Sequence, residues 1–169
     1  MKKLTLCGAF LATAALMTAQ PSPKMTATGT IGGKALTITY SAPSVKGRKI
    51  FGDGGLVMKD PGAPVWRAGA NSATALHTDG DIKIGDLAVP AGNYTLFVDV
   101  KDENQWSLIV SKETGQWGLA YKPANDLGRV KMKMSKPPAL VETLKYTVTS
   151  SGIQLEWENH VAMVAVSAK

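Results

Sequence analysis

Cysteine and histidine are scarce in this chain of 169 residues, which has one cysteine, Cys7, and two histidines, His77 and His160. A lone cysteine excludes an intrachain disulfide and the multi-cysteine metal sites, so stability must come from packing. No GxSxG elbow, HExxH pair or nucleotide-binding glycine motif is present, and no spacing of ligand-type side chains predicts a metal or another cofactor. Beyond residue 20 no apolar stripe of period 3.6 is sustained, and no second apolar run approaches the roughly 18 residues of a membrane-spanning helix. Basic residues are scattered rather than interleaved with aromatics, which argues against nucleic acid as a partner. No solenoid or propeller period is visible, and no low-complexity linker divides the chain.

What the chain does have begins at its first residues. Lys2 and Lys3 precede an apolar run from Leu4 to Met17, which reads as a secretory signal peptide over residues 1–20. The expected product is exported, periplasmic or extracellular, with no transmembrane segment. Cys7 lies inside the apolar run rather than after it, which argues against a lipid anchor. Removal of the signal leaves roughly 150 residues, the size of one domain. We read residues 21–34 as a lead-in with the first strand, and 35–169 as the body of the domain. The formal charge of +6 falls by the two lysines to +4, which suits solubility and admits an anionic partner.

Period-two alternation dominates the rest. Leu36, Ile38 and Tyr40 alternate with Ala35, Thr37 and Thr39, as a strand with one buried face does. The same pattern recurs at Ile82 and Ile84, from Tyr94 to Val100, from Trp106 to Val110 and from Val130 to Met134. Leu144, Tyr146 and Val148, the turn Ser150–Gly152 and Ile153, Leu155 and Trp157 read as a hairpin. The spacing predicts an all-β antiparallel sandwich of about 8–10 short strands. Ser41 to Pro64, with three prolines and five glycines, breaks the rhythm and reads as a long loop, either a surface excursion or a binding loop.

The stretch Val65–Thr74, VWRAGANSAT, brings an aromatic, a guanidinium and an amide together among small residues. As a strand it would place Arg67 and Asn71 on one face, where Arg67 suits a carboxylate or phosphate. The bland reading is a core Trp66 and a salt-bridged Arg67. A second candidate is TGQWG, Thr114–Gly118, where Trp117 and Gln116 suit a polar ring unless Trp117 plugs the sandwich end. Tyr40 and Arg48 complete the candidate ligand-binding set. In HTDGD the Asp79-Gly80 pair reads as a hairpin turn, and His160 reads as a surface or loop residue. Lys131 and Lys133 share an outward face, which protects a strand edge.

Four blocks in order, Tyr40–Gly52 (YSAPSVKGRKIFG), Val65–Thr74, Leu87–Phe97 (LAVPAGNYTLF) and Trp106–Gly118 (WSLIVSKETGQWG), resemble a bacterial family of unknown function, DUF2911, carried mostly by exported proteins. The resemblance implies an all-β exported domain and no established reaction. Relatives often carry Thr at the position of Ala68 and Glu at that of Ser72, so no carboxylate beside Asn71 carries over. The leading expectation is a non-catalytic binding module for a polar or anionic small molecule or an envelope glycan. The alternatives are a hydrolase, with a carboxylate or His77 as base and Arg67 as electrostatic stabiliser, and a structural or interaction protein of the envelope.

Overall fold

A computed structural model describes residues 21–169; the signal-peptide reading over 1–20 lies outside the described residues. Thirteen strands form two antiparallel sheets. They are β1 (Lys24–Ile31), β2 (Lys34–Ser41), β3 (Val65–Trp66), β4 (Thr74–Thr78), β5 (Ile82–Ile84), β6 (Leu87–Val89) and β7 (Gly92–Asp102), then β8 (Gln105–Ser111), β9 (Asp126–Lys131), β10 (Lys133–Ser135), β11 (Val141–Thr149), β12 (Gly152–Glu158) and β13 (His160–Ala168). The first sheet runs β1-β2-β4-β7-β8-β9, with β3 also paired to β7; the second runs β11-β12-β13-β5-β6, with β10 also on β13. The count exceeds the expected 8–10 because β3 and β6 are two or three residues long, too short to carry a period, and because the run from Val130 to Met134 divides into β9 and β10. Among the described residues no helix is long and apolar enough to cross a membrane.

The inward residues of the two sheets meet in one core. Leu36, Ile38 and Tyr40 of β2 and Leu96 and Val98 of β7 face Leu144, Tyr146, Ile153 and Leu155 of the second sheet. β7 and β8 are also buried on their outer face, where Phe97 and Ile109 are fully enclosed. Tyr121, in the connection between β8 and β9, contributes to that cover, its ring 4.9 Å from that of Phe97.

Three expectations are corrected. The run from Val130 to Met134 is not one strand: it breaks at Met132, whose N–H donates to the Trp106 carbonyl at 2.9 Å as the chain passes between sheets. Lys131 and Lys133 are therefore exposed on different sheets. HTDGD is not a hairpin turn either, because β4 and β5 belong to different sheets. Its side chains stitch that crossing: Asp79 accepts from the Ala35 N–H at 2.8 Å, and Asp81 from the Ala91 N–H at 2.9 Å. Finally, the segment from Val65 is a strand only to Trp66; Ala68 and Asn71 have φ of 54° and 62°, so the chain coils instead of alternating.

The long loop after β2 is built into the body of the domain. Val45 N–H donates to the Glu142 carbonyl, Leu144 N–H to the Pro43 carbonyl and Ile50 N–H to the Glu158 carboxylate. Ile50, Phe51 and Val57 enter the core. Phe51 wedges among three indoles, with ring centroids 5.4 Å from Trp66, 4.6 Å from Trp106 and 5.7 Å from Trp157. Trp66 and Trp157 stack at 5.7 Å and 19°. This aromatic cluster closes one end of the sandwich and backs both clefts described next.

Candidate functional site

The coil after β3 is held from inside. The Ala68 carbonyl accepts from the Thr74 hydroxyl at 2.9 Å and from the Tyr146 phenol at 3.0 Å, and the Trp66 indole donates to the Gly69 carbonyl at 3.1 Å. Burial pushes the Tyr146 phenol well above its usual range, which keeps it a hydrogen-bond donor. These bonds turn the segment outward, leaving Asn71 exposed at the apex and Arg67 on its flank.

Arg67 ion-pairs with Asp60 of the long loop and also donates to the Asn71 carbonyl at 3.5 Å. Against the same coil lies the segment around Trp117. Ala73 N–H donates to the Gln116 carbonyl at 3.3 Å, Gly118 N–H donates to the Asn71 carbonyl at 3.1 Å, and Ser72 and Trp117 form an isolated bridge. A Cβ on Gly118 would overlap the Arg67 side chain and stand 2.6 Å from the Asn71 carbonyl, so only glycine admits this approach. Trp117 is 56% exposed and plugs nothing. Two sequence blocks about 45 residues apart thus form one surface.

A cleft of about 360 Å³ opens there, lined by Leu56, Lys59, Asp60, Arg67, Asn71 and the edges of Trp66 and Trp157. Of the seven expected site residues, Trp66, Arg67 and Asn71 line it and Trp117 stands beside it. Gln116 anchors the surface, its side-chain carbonyl accepting from the Thr95 hydroxyl at 3.1 Å. Tyr40 and Arg48 lie elsewhere. Tyr40 is a core residue whose hydroxyl accepts from the Tyr146 N–H at 3.2 Å, and Arg48 donates to the Val45 and Ser44 carbonyls of its own loop.

A larger cleft, about 830 Å³, opens on the other side of the aromatic cluster, around His160. His160 is not the plain surface residue expected from the sequence. Its imidazole stacks on Trp106 at 5.2 Å and 18° and meets Phe51 edge-on at 4.9 Å. Glu103, at the tip of the β7–β8 hairpin, lies 3.3 Å from Nε2; Glu158 lies 3.5 Å from Nδ1, which is buried without a hydrogen-bond partner. Glu158, the last residue of β12, leads with Asn159 from Trp157 to its pairing partner His160 and has φ 55°, a conformation that favours glycine. Its carboxylate is buried, and one oxygen accepts from the Ile50 N–H at 2.8 Å. The sequence signal was WENH: a Glu-Asn turn after an alternating strand, with alternation resuming at Val161.

His77 stands apart from the remaining carboxylates, of which Asp99 and Asp126 share Arg129 as a partner. His77 meets Asn93 at 2.9 Å on the outer sheet face, whereas Asp126 lies with Tyr121 and Arg129. Of the two bases considered beside Arg67 for a hydrolase, a carboxylate or His77, the smaller cleft holds the carboxylate of Asp60, and His77 lies elsewhere. Among the described residues no group of three or more His, Cys, Asp or Glu is arranged to hold a metal ion.

Neither curated proteins nor solved structures yield a match to this chain. The family profile described as "Protein of unknown function (DUF2911)" matches residues 22–166, nearly the whole described chain from β1 to β13. This two-sheet sandwich, with its coil at Trp66–Thr74 set against Trp117, therefore belongs to the DUF2911 family.

Proposed function

We propose that this domain is an exported, non-catalytic binding module that takes a polyhydroxylated ring of an envelope glycan at the surface formed by Trp117, Asn71 and the Arg67–Asp60 pair. The observation that carries the reading is Trp117, 56% exposed on a backbone tied to the Ser72 coil. Leaving an indole in water forgoes on the order of 2 kcal/mol of burial. A pre-positioned flat apolar face beside donors and acceptors is what a sugar ring needs, since its C–H face stacks while its hydroxyls hydrogen-bond. Asp60 offsets the charge of Arg67, which favours a neutral polar ring over a free anion. Export rests on Lys2, Lys3 and the apolar run to Met17.

The test is calorimetric titration of residues 21–169 with soluble chito-, cello- and xylo-oligosaccharides. Trp117→Ala and Asn71→Ala are expected to weaken binding by about tenfold or more, with melting temperatures near that of the parent. Binding indifferent to both substitutions, or no binding across the three series, overturns the reading.

One observation favours a second reading: His160 between Glu103 and Glu158 supplies groups for general acid–base hydrolysis. It requires new reducing ends from the same oligomers, abolished in His160→Ala.

A further inference from the structure

The two clefts lie on either side of one narrow piece of chain. Leu56 N–H donates to the Lys49 carbonyl and Val57 N–H to the Ile50 carbonyl, each at 3.0 Å, so residues 49–57 fold back as a paired turn. Lys49 and Phe51 on one arm line the larger cleft; Leu56 and Val57 on the other line the smaller. Paired backbones are spaced by about 5 Å. Neighbouring residues tell the same story, because Trp157 lines the smaller cleft and Glu158 the larger. From Trp117 past Asn71 and Arg67, over this turn to His160, two recesses follow one another, the smaller mainly apolar with Asp60, Arg67 and Asn71 on its wall and the larger mainly polar.

We infer that the ligand is a chain of several sugar residues, with one ring at Trp117 and the continuing rings in the His160 cleft; this rests on the glycan reading proposed above. The larger cleft has the capacity that hydroxyl groups require. Lys136 is exposed and makes no ion pair among the described residues, and Asn104 and Asn159 line the cleft with exposed amides. Glu103 and Glu158 add acceptors, so donors and acceptors mix without a dominant sign, as a neutral polyol demands. Glu158 holds a backbone conformation that disfavours side chains, and its carboxylate fixes Ile50 while facing the imidazole. It acts as a positioning residue for the turn and for His160. An extended peptide fits less well, because the strand edge at the larger cleft is that of β10, three residues long and too short for an extended backbone ladder, and the smaller recess lies between loops.

The experiment is titration of residues 21–169 with β-1,4-linked N-acetylglucosamine oligomers from two to six rings, beside an extended peptide of similar length. Affinity is expected to rise by at least about tenfold from the dimer to the longer oligomers. Asn104→Ala and Lys136→Ala should remove that gain while leaving dimer affinity unchanged; both residues are exposed and touch no core packing, so a folding defect cannot mimic the result. Affinity that is independent of length, or a gain that survives both substitutions, overturns this inference and leaves single-ring binding standing. Binding of the peptide in place of the oligomers overturns the glycan assignment. No binding of any oligomer of this series overturns this inference, and the proposed function falls with it when the cello- and xylo-oligosaccharides fail to bind as well.

Discussion

Glu158 shows at the scale of one residue how strain and a buried charge are balanced. Its φ of 55° costs a side chain roughly 1–2 kcal/mol, and its carboxylate returns a charge-assisted hydrogen bond to the buried Ile50 N–H. Glu158→Ala keeps the strain and loses the bond, whereas Glu158→Gly loses both. Urea denaturation should therefore find the alanine variant less stable than the glycine variant by about 1 kcal/mol. Equal stabilities would show that the backbone there is unstrained. Tyr121 makes a pH-dependent contribution. Its phenol is pushed up to about 12, first by burial and then by its hydrogen bond to Asp126. The ordinary value is about 10, so the folded state holds this proton more tightly than the unfolded chain. The associated stability is complete below pH ~10 and is lost as pH rises toward 12. Tyr121→Phe should flatten the fall in melting temperature over that window, and an unchanged slope would assign the alkaline loss elsewhere.

Among elements, β1 decides whether the first sheet has a protected edge. It pairs with β2 along its whole length, from Lys24–Ser41 to Ile31–Lys34, and Gly29 packs against Val148 of β11. A Cβ on Gly29 would come within 2.6 Å of the Val148 side chain, so the two sheets meet here at backbone distance. A chain lacking residues 21–33 would present β2 as an open edge carrying Leu36, Ile38 and Tyr40. Size-exclusion chromatography should find it associated, or calorimetry should find its cooperative melt lost. A monomer with the parental melting temperature would show that β1 is dispensable. The short elements carry a different lesson. β2, β7, β8, β11 and β12 were legible because five or more residues establish a period of two. β3 and β6 were not, since two or three residues give no period, and the boundary between β9 and β10 was not, since it depends on strands distant in sequence.

For the molecule as a whole, the alternating runs, the turn residues and the lack of helical periodicity determine an all-β antiparallel sandwich. Each of those signals comes from backbone geometry within a few residues. The outward burial of Phe97 and Ile109 was not legible, because it depends on a distant segment folding over a sheet face. The blocks Val65–Thr74 and Thr114–Gly118 were legible as concentrations of aromatic, guanidinium and amide side chains, but not their meeting, which depends on how β4, β7 and β8 pair between them. His160 was the larger surprise. Its importance rests on Glu103 and Glu158, which reach it from different sheets, and on Trp106 behind it. Local chemistry is written in neighbouring residues and therefore in the sequence; which distant side chains share a cleft follows from sheet order and loop packing, which emerge only when the whole core is buried together.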